Sequence, residues 1–393
     1  MTLLEIIKQA SACSDSLDFQ SDYPILLNPD EIITNLKSKV VEPDPISLIN
    51  PIIGWKVSEN DCKVIDLGKK FHENLKQKLK NRHFSKPEFI NLLNAFLVKM
   101  KERVGIVVSV SSSDNCYTKV LIEKLGFLMS KDVGGLVLDT CIAFEDWELV
   151  ETFVVNKLVK HASYSNLILK LVAKKRSDLL CLCIKQASDF GPADLHCILK
   201  YFLCPSKEAY ASMSNVRKEW EDQALLAIEN ASDKNLKGKK SSLAKEAAIQ
   251  LMVAHDGFST QELCLHYLLA SPNLDEVILA SALSKLNREE MVHLIQYLRK
   301  WLKKYERFPQ AVSCPKASVV LGLKACDWVP KLDDVVRYLG LVLDVNFSSL
   351  VLHPDFHEEL KIMGELVNSL AMESKLCCFL ANAAENLRNR SVM

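Results

Sequence analysis

From Asn60 onward the chain repeats one kind of segment: a helix-length apolar stripe, opened by a capping signal and closed by a short polar break. The stretch "DLGKKFHENLKQKLKNRHF" spaces Leu67, Phe71, Leu75 and Leu79 four apart, one side of a helix. "SKPE" (85–88) combines a Ser cap, an early Pro and a Glu three residues after the cap, and it opens "FINLLNAFLVKMKERVGIVVSV". The β-branched run Val104 to Val110 could form a strand, but no partner strand is evident, and a helix end is expected. Further helices are expected near 115–129, 131–143, 146–160, 164–174, 177–187 and 192–203, with the short connections of antiparallel helix pairs. "STQE" (259–262) and "NREE" (287–290) are capping boxes that open later helices. Only 12 glycines occur, too few for the turns of an all-β chain or for Gly-loop α/β folds. No fixed-period motif recurs, which argues against ankyrin or tetratricopeptide arrays. The expected fold is all-α: an irregular α-solenoid of antiparallel helix pairs, without a β-propeller.

Four regions are expected. Residues 1–58 form a loosely structured N-terminal segment with one or two short helices. One helix lies near 2–12, another is announced by the "NPDE" cap at 28–31, and a Pro-rich connector follows at 41–55. Residues 59–204 make a first helical block. Residues 205–242 are a break ("CPSKEAYASMSN") and a basic linker ("SDKNLKGKKSSL"), and 243–393 make a second helical block.

Lys plus Arg and Asp plus Glu each total 49, so any nucleic-acid contact must come from local patches and not from bulk charge. The 13 cysteines include no C-x-x-C pair, and Glu5 and Lys8 interrupt the opening apolar stretch. Reduced thiols in the cytosol or nucleus are therefore expected, with no signal peptide. No uncharged apolar run approaches the length of a membrane span.

Two basic stretches stand out. Lys69, Lys70, Lys76, Lys78, Lys80, Arg82 and Lys86 face a single Glu73 over 69–86, enough to grip an RNA backbone without reading sequence. The alternative is a solvated helix face. "LRKWLKKYERFPQ" (298–310) places Lys300, Lys303, Lys304 and Arg307 at i, i+3, i+4 and i+7, on a stripe apart from Met291, Leu294, Ile295, Leu298, Leu302 and Tyr305. Trp301 falls at the edge of the apolar stripe. The aromatics turn away from the cations, so base stacking is disfavoured and contact with phosphate or an acidic partner remains. "LKGKK" (236–240) and "AKKR" (173–176) match short nuclear import signals.

After Cys314 the chain becomes unusually apolar. The helix expected across 328–352 carries apolar residues on most sides, and Trp328, Val335, Leu341 and Phe347 are candidates for docking a partner. "HPDFHEE" (353–359) brings together His353, Asp355, His357 and Glu358, but Pro354 belongs at a helix start, which argues against a metal site. No G-x-S-x-G, P-loop, G-x-G-x-x-G or H-E-x-x-H motif is present. No catalytic residue, cofactor or metal is expected; a Cys nucleophile is the remaining enzymatic reading.

"LGLVLDVNFSSLVLHPDFHEELKIMGELVNSL", after "CDWVPKLDDVVRYL", resembles the C-terminal end of the nucleolar protein 11 family, and "LNREEMVHLIQYLRKWLKKYERFP" is similar to the helical repeat before it. The resemblance covers roughly residues 260–385. It implies a scaffold of the small-subunit processome in the nucleus and nucleolus, acting in pre-ribosomal RNA transcription and processing. The implied partners are other nucleolar assembly factors and pre-ribosomal RNA, with neither a membrane nor a small-molecule substrate. Family members begin with a β-propeller, for which this helical sequence leaves no room. The other functional expectation is a cytoplasmic helical adaptor for trafficking or complex assembly, independent of RNA.

Overall fold

The computed structural model describes residues 59–107, 116–187, 190–233, 235, 237–311 and 313–390. Contacts divide the chain into Met1–Val57 and Ser58–Met393. The expected helix near 2–12, the "NPDE" cap and the Pro-rich connector lie outside the described residues. The described residues are all-α: sixteen α-helices and three short 3₁₀ turns, with no strand among them. In chain order the helices are α1 (Glu59–Lys78), α2 (Lys86–Val104), α3 (Tyr117–Leu125), α4 (Lys131–Ala143), α5 (Trp147–Val155) and α6 (His161–Ala173). There follow α7 (Ser177–Gln186), α8 (Pro192–Leu203), α9 (Ala209–Ser232), α10 (Lys239–His255) and α11 (Thr260–Leu269). The last are α12 (Glu276–Leu283), α13 (Arg288–Arg307), α14 (Pro315–Leu321), α15 (Leu332–Leu352) and α16 (His357–Arg390).

Packing links chain neighbours and also helices two to five places apart in the chain. Helix α3 packs on α5, α5 on α7, and α7 on α9 and α11, while α6 packs on α7 and α8. Two consecutive helix pairs, α4–α5 and α6–α7, close with the same turn. Asp146 N–H reaches Cys141 C=O at 2.8 Å, and Arg176 N–H reaches Leu171 C=O at 2.9 Å. Each turn sets one non-glycine residue in the left-handed region, Glu145 (φ 54°) and Lys175 (φ 57°). This is the 6→1 closure that satisfies orphan carbonyls at a helix C-terminus. The two turns are tied together by the Lys174–Glu145 ion pair at 2.6 Å, and the Arg176 guanidinium lies over the Trp147 ring at 4.8 Å. The "AKKR" tract therefore sits in this joint, with Arg176 also paired to Asp178.

Residues 205–242 differ from the expected break and linker. The 24-residue helix α9 occupies most of them and packs on α7, α10 and α11. Its buried face runs Ala209, Met213, Val216, Trp220, Ala224 and Ala227, and α10 buries Ala244, Ala247, Ala248 and Ala254. Alanines let helix axes approach closely but contribute little to an apolar stripe. Helix α2 ends at Val104 on Gly105 in the left-handed conformation (φ 74°), and 108–115 lie outside the described residues.

Lys324–Leu352 is long and apolar enough to span a bilayer by length and composition, although charged residues interrupt it. In the fold, Val335, Tyr338, Leu339, Val342 and Leu350 seat one side of α15 in the protein core.

Candidate functional site

On α1, Phe71 and Leu75 are buried and Leu67 is half-buried, while Leu79 is exposed at the C-terminal end. The opposite side presents Lys69, Lys70 and Lys76, and the following turn presents Lys80 and Arg82. All five are exposed and have no ion-pair partner among the described residues. Lys78 lies over the Phe84 ring at 5.8 Å, and Lys86 pairs with Asp146 at 3.2 Å. Lys99 and Arg103 of α2 line a hollow of ≈ 480 Å³ with Leu67 and Glu102. From Glu59 to Gly105 eleven Lys and Arg stand against six Asp and Glu, a net of +5 in a chain whose total is zero.

The stripe on α13 is less free. At the helix start, Asn287 Oδ1 accepts from Glu290 N–H and the Glu290 carboxylate accepts from Asn287 N–H, both at 2.9 Å. At the other end Lys300 Nζ donates to both oxygens of Glu262 at 2.8 Å. Glu262 already caps α11, accepting from Ser259 N–H at 2.7 Å. Lys300 thus clamps α13 to the start of α11. Lys304 donates to Asp256 at 3.4 Å and lies about 6 Å from the Phe258 and Phe308 rings. Lys303 and Arg307 are exposed, Arg307 over Phe308 at 5.3 Å, and neither has an ion-pair partner among the described residues. The four cations, Asp256, Gly257, Phe258 and Phe308 enclose a cleft of ≈ 260 Å³. No linear signal joins the α10–α11 turn to the end of α13; the fold alone makes this cleft.

Trp301, expected at the stripe edge, is fully buried, with Leu298 and Leu302 beside it. Phe258 and His266 cover it at ring distances of 4.8 and 4.9 Å. Tyr305 is half-buried and its hydroxyl donates to the Pro330 carbonyl.

The apolar docking candidates separate. Val335 is fully buried, because α15 turns that side onto α12 and α13, so it is core and not an accessible anchor. Trp328 and Leu341 are half-buried against the core. Phe347 is 66% exposed and shares the outer side of α15 with Val336 and Val351.

In "HPDFHEE", His353 follows α15 and Pro354–Phe356 forms a 3₁₀ turn. Asp355 pairs with Arg288, and the His357 Nε2–H donates to the Val351 carbonyl at 2.8 Å. These polar groups bond away from one another.

One Cys–His contact bears on the nucleophile reading. Cys204 Sγ lies 3.5 Å from His293 Nδ1. The same Nδ1 lies 2.9 Å from the Leu203 carbonyl, which only accepts, so Nδ1 carries the proton and cannot take one from the thiol. Burial, then Glu289 and Glu290, hold the Cys204 thiol above its ordinary range. The pair is built against thiolate formation.

No protein-family model and no curated protein matches the chain. The class that the structure defines is an all-α protein with a cationic α1–α2 edge.

Proposed function

We propose that the chain is a non-catalytic helical scaffold of ribosome biogenesis, an irregular solenoid that docks assembly factors and touches pre-ribosomal RNA through its phosphates. The carrying observation is the α1 edge: Lys69, Lys70, Lys76, Lys80 and Arg82 are exposed and uncommitted, while half of the α13 stripe is held by Glu262 and Asp256. Cations without protein partners can release counterions from a polyanion without first breaking a structural ion pair. The resemblance of residues 260–385 to the nucleolar protein 11 family supports the compartment and the pathway. The geometry of Cys204 and His293 supports a non-enzymatic role.

The test has two parts. Fused to a fluorophore, the chain is expected in the nucleolus; exclusion from it overturns the compartment and favours the cytoplasmic adaptor. In a salt titration of binding to single-stranded RNA, five phosphate contacts lower affinity about a hundredfold between 50 and 200 mM salt. Reversal of the five α1-edge cations to Glu is expected to abolish binding. Unchanged binding would overturn the RNA contact.

A further inference from the structure

We infer that the cleft between the α10–α11 turn and the last turn of α13 is a binding site for a short acidic segment of a partner protein. A carboxylate sits between Lys303 and Arg307, and a neighbouring apolar side chain rests on Phe308. This names the partner chemistry of one surface of the proposed scaffold, and so rests on its protein-docking half and not on its RNA half.

Four observations carry it. First, the cleft is a real concavity of ≈ 260 Å³, the size of one or two side chains and not of a strand of nucleic acid. Second, its cations are sorted. Lys300 and Lys304 are fixed by Glu262 and Asp256, which leaves Lys303 and Arg307, one turn apart, free to close on one anion. Third, its wall is aromatic. Phe308 is half-buried below Arg307, and Phe258 is buried behind it. Gly257, at φ 72°, lets the turn pass beneath Lys304 and leaves the wall open. Fourth, the rim is anionic. Asp256 has a side chain 87% exposed, and Glu306 stands in the same helical turn as Lys303 and Arg307. A phosphodiester chain crossing this patch brings successive charges onto those carboxylates. A lone carboxylate flanked by apolar side chains does not, and it matches both the cations and the rings.

The experiment is fluorescence anisotropy on the full chain with a short fluorescein-labelled peptide that carries one Glu between two Phe, and in parallel with labelled oligouridylate. Binding of the peptide is expected, with at least a tenfold rise in Kd for Lys303→Glu with Arg307→Glu. A similar rise is expected when the peptide's Glu is replaced by Gln. Both substituted side chains are exposed, so an unchanged Tm is expected and excludes misfolding as the cause. Reversing Lys69, Lys70 and Lys76 is expected to leave peptide binding intact. A peptide that does not bind, or binds equally to the double variant, overturns the inference. So does a double variant that loses oligouridylate but keeps the peptide, since the cleft would then serve nucleic acid. Nucleolar exclusion with peptide binding intact sinks only the compartment, and the converse sinks only this site.

Discussion

Lowering the pH is expected to destabilise this fold through one residue, His266. It lies in α11 with its side chain fully buried among Trp220, Phe258, Tyr297 and Trp301. Nε2 is 2.9 Å from the Ala254 carbonyl and must donate to it, so Nδ1, 2.8 Å from the Tyr297 hydroxyl, accepts. The neutral form satisfies both ring nitrogens. Burial is the main cause that pushes the pKa from 6.5 down to about 3; His255 adds to it and the Ala254 hydrogen bond opposes it. Because the folded value is the lower, the unfolded chain binds the extra proton. The stabilisation is complete above about pH 6.5 and is lost as pH falls toward 3. Each pH unit in that window removes about 1.4 kcal/mol, or about 5 kcal/mol across it, against a typical total of about 5–15 kcal/mol. The assay is urea unfolding at a series of pH values for the wild type and His266→Gln, with the His266 ring proton followed by NMR. The difference in stability between the two proteins is expected to shrink steadily below pH 6.5, with the His266 resonance flat to about pH 4. A His266 titration midpoint above pH 5, or parallel pH profiles for the two proteins, would refute the reasoning.

Other substitutions separate buried from exposed roles. Trp301→Ala is expected to cost about 3–5 kcal/mol in chemical denaturation, because its whole side chain lies in the core. Lys300→Glu is expected to cost about 1–2 kcal/mol by setting a second carboxylate against the Glu262 cap, whereas Lys303→Glu changes stability by less than about 0.5 kcal/mol. Val335→Asp is expected to abolish cooperative unfolding, and Phe347→Asp to leave the urea midpoint within error. In a mapped iodoacetamide time course, Cys62, Cys116, Cys377 and Cys378 are exposed and are expected to label before the buried thiols. Cys141, Cys183 and Cys264, whose thiols burial pushes upward, are expected to wait for unfolding.

Local signals were legible in the chain. The boxes "STQE" and "NREE" cap α11 and α13 as their spacing implies, and α4 and α8 begin and end where the periodicity places them. Helix α9 was hidden because its buried stripe, Met213, Val216, Trp220, Ala224 and Ala227, is narrow on an otherwise polar helix and fades into alanines toward its C-terminal half. Trp301 was misplaced because a stripe fixes an angle around one helix, whereas burial depends on what covers it: here the Phe258 turn, distant in sequence. The candidate site divides the same way. Charges at i, i+3, i+4 and i+7 were visible on α13, but which of them are free depends on Asp256 and Glu262, more than 35 residues upstream. On α15 the two apolar sides look alike in sequence, and only the neighbouring helices choose Val335 over Phe347.

Helix α16 carries a gradient of order along a single element. At 1.5 Å per residue its 34 residues extend about 51 Å. Met363, Leu366, Leu370 and the Arg299–Glu359 pair at 3.1 Å moor its first half to the body. From Ala371 to Glu385 every residue is exposed, Met372 and Phe379 by more than 70%. A helix of that length with no packing is marginal in water. The amides beyond Leu370 therefore open and close nearly independently of global unfolding, and hydrogen exchange is expected to rise sharply there while the first turns stay protected. The chain's stability is set before residue 371, and the remainder of α16 can be ordered or released without disturbing it.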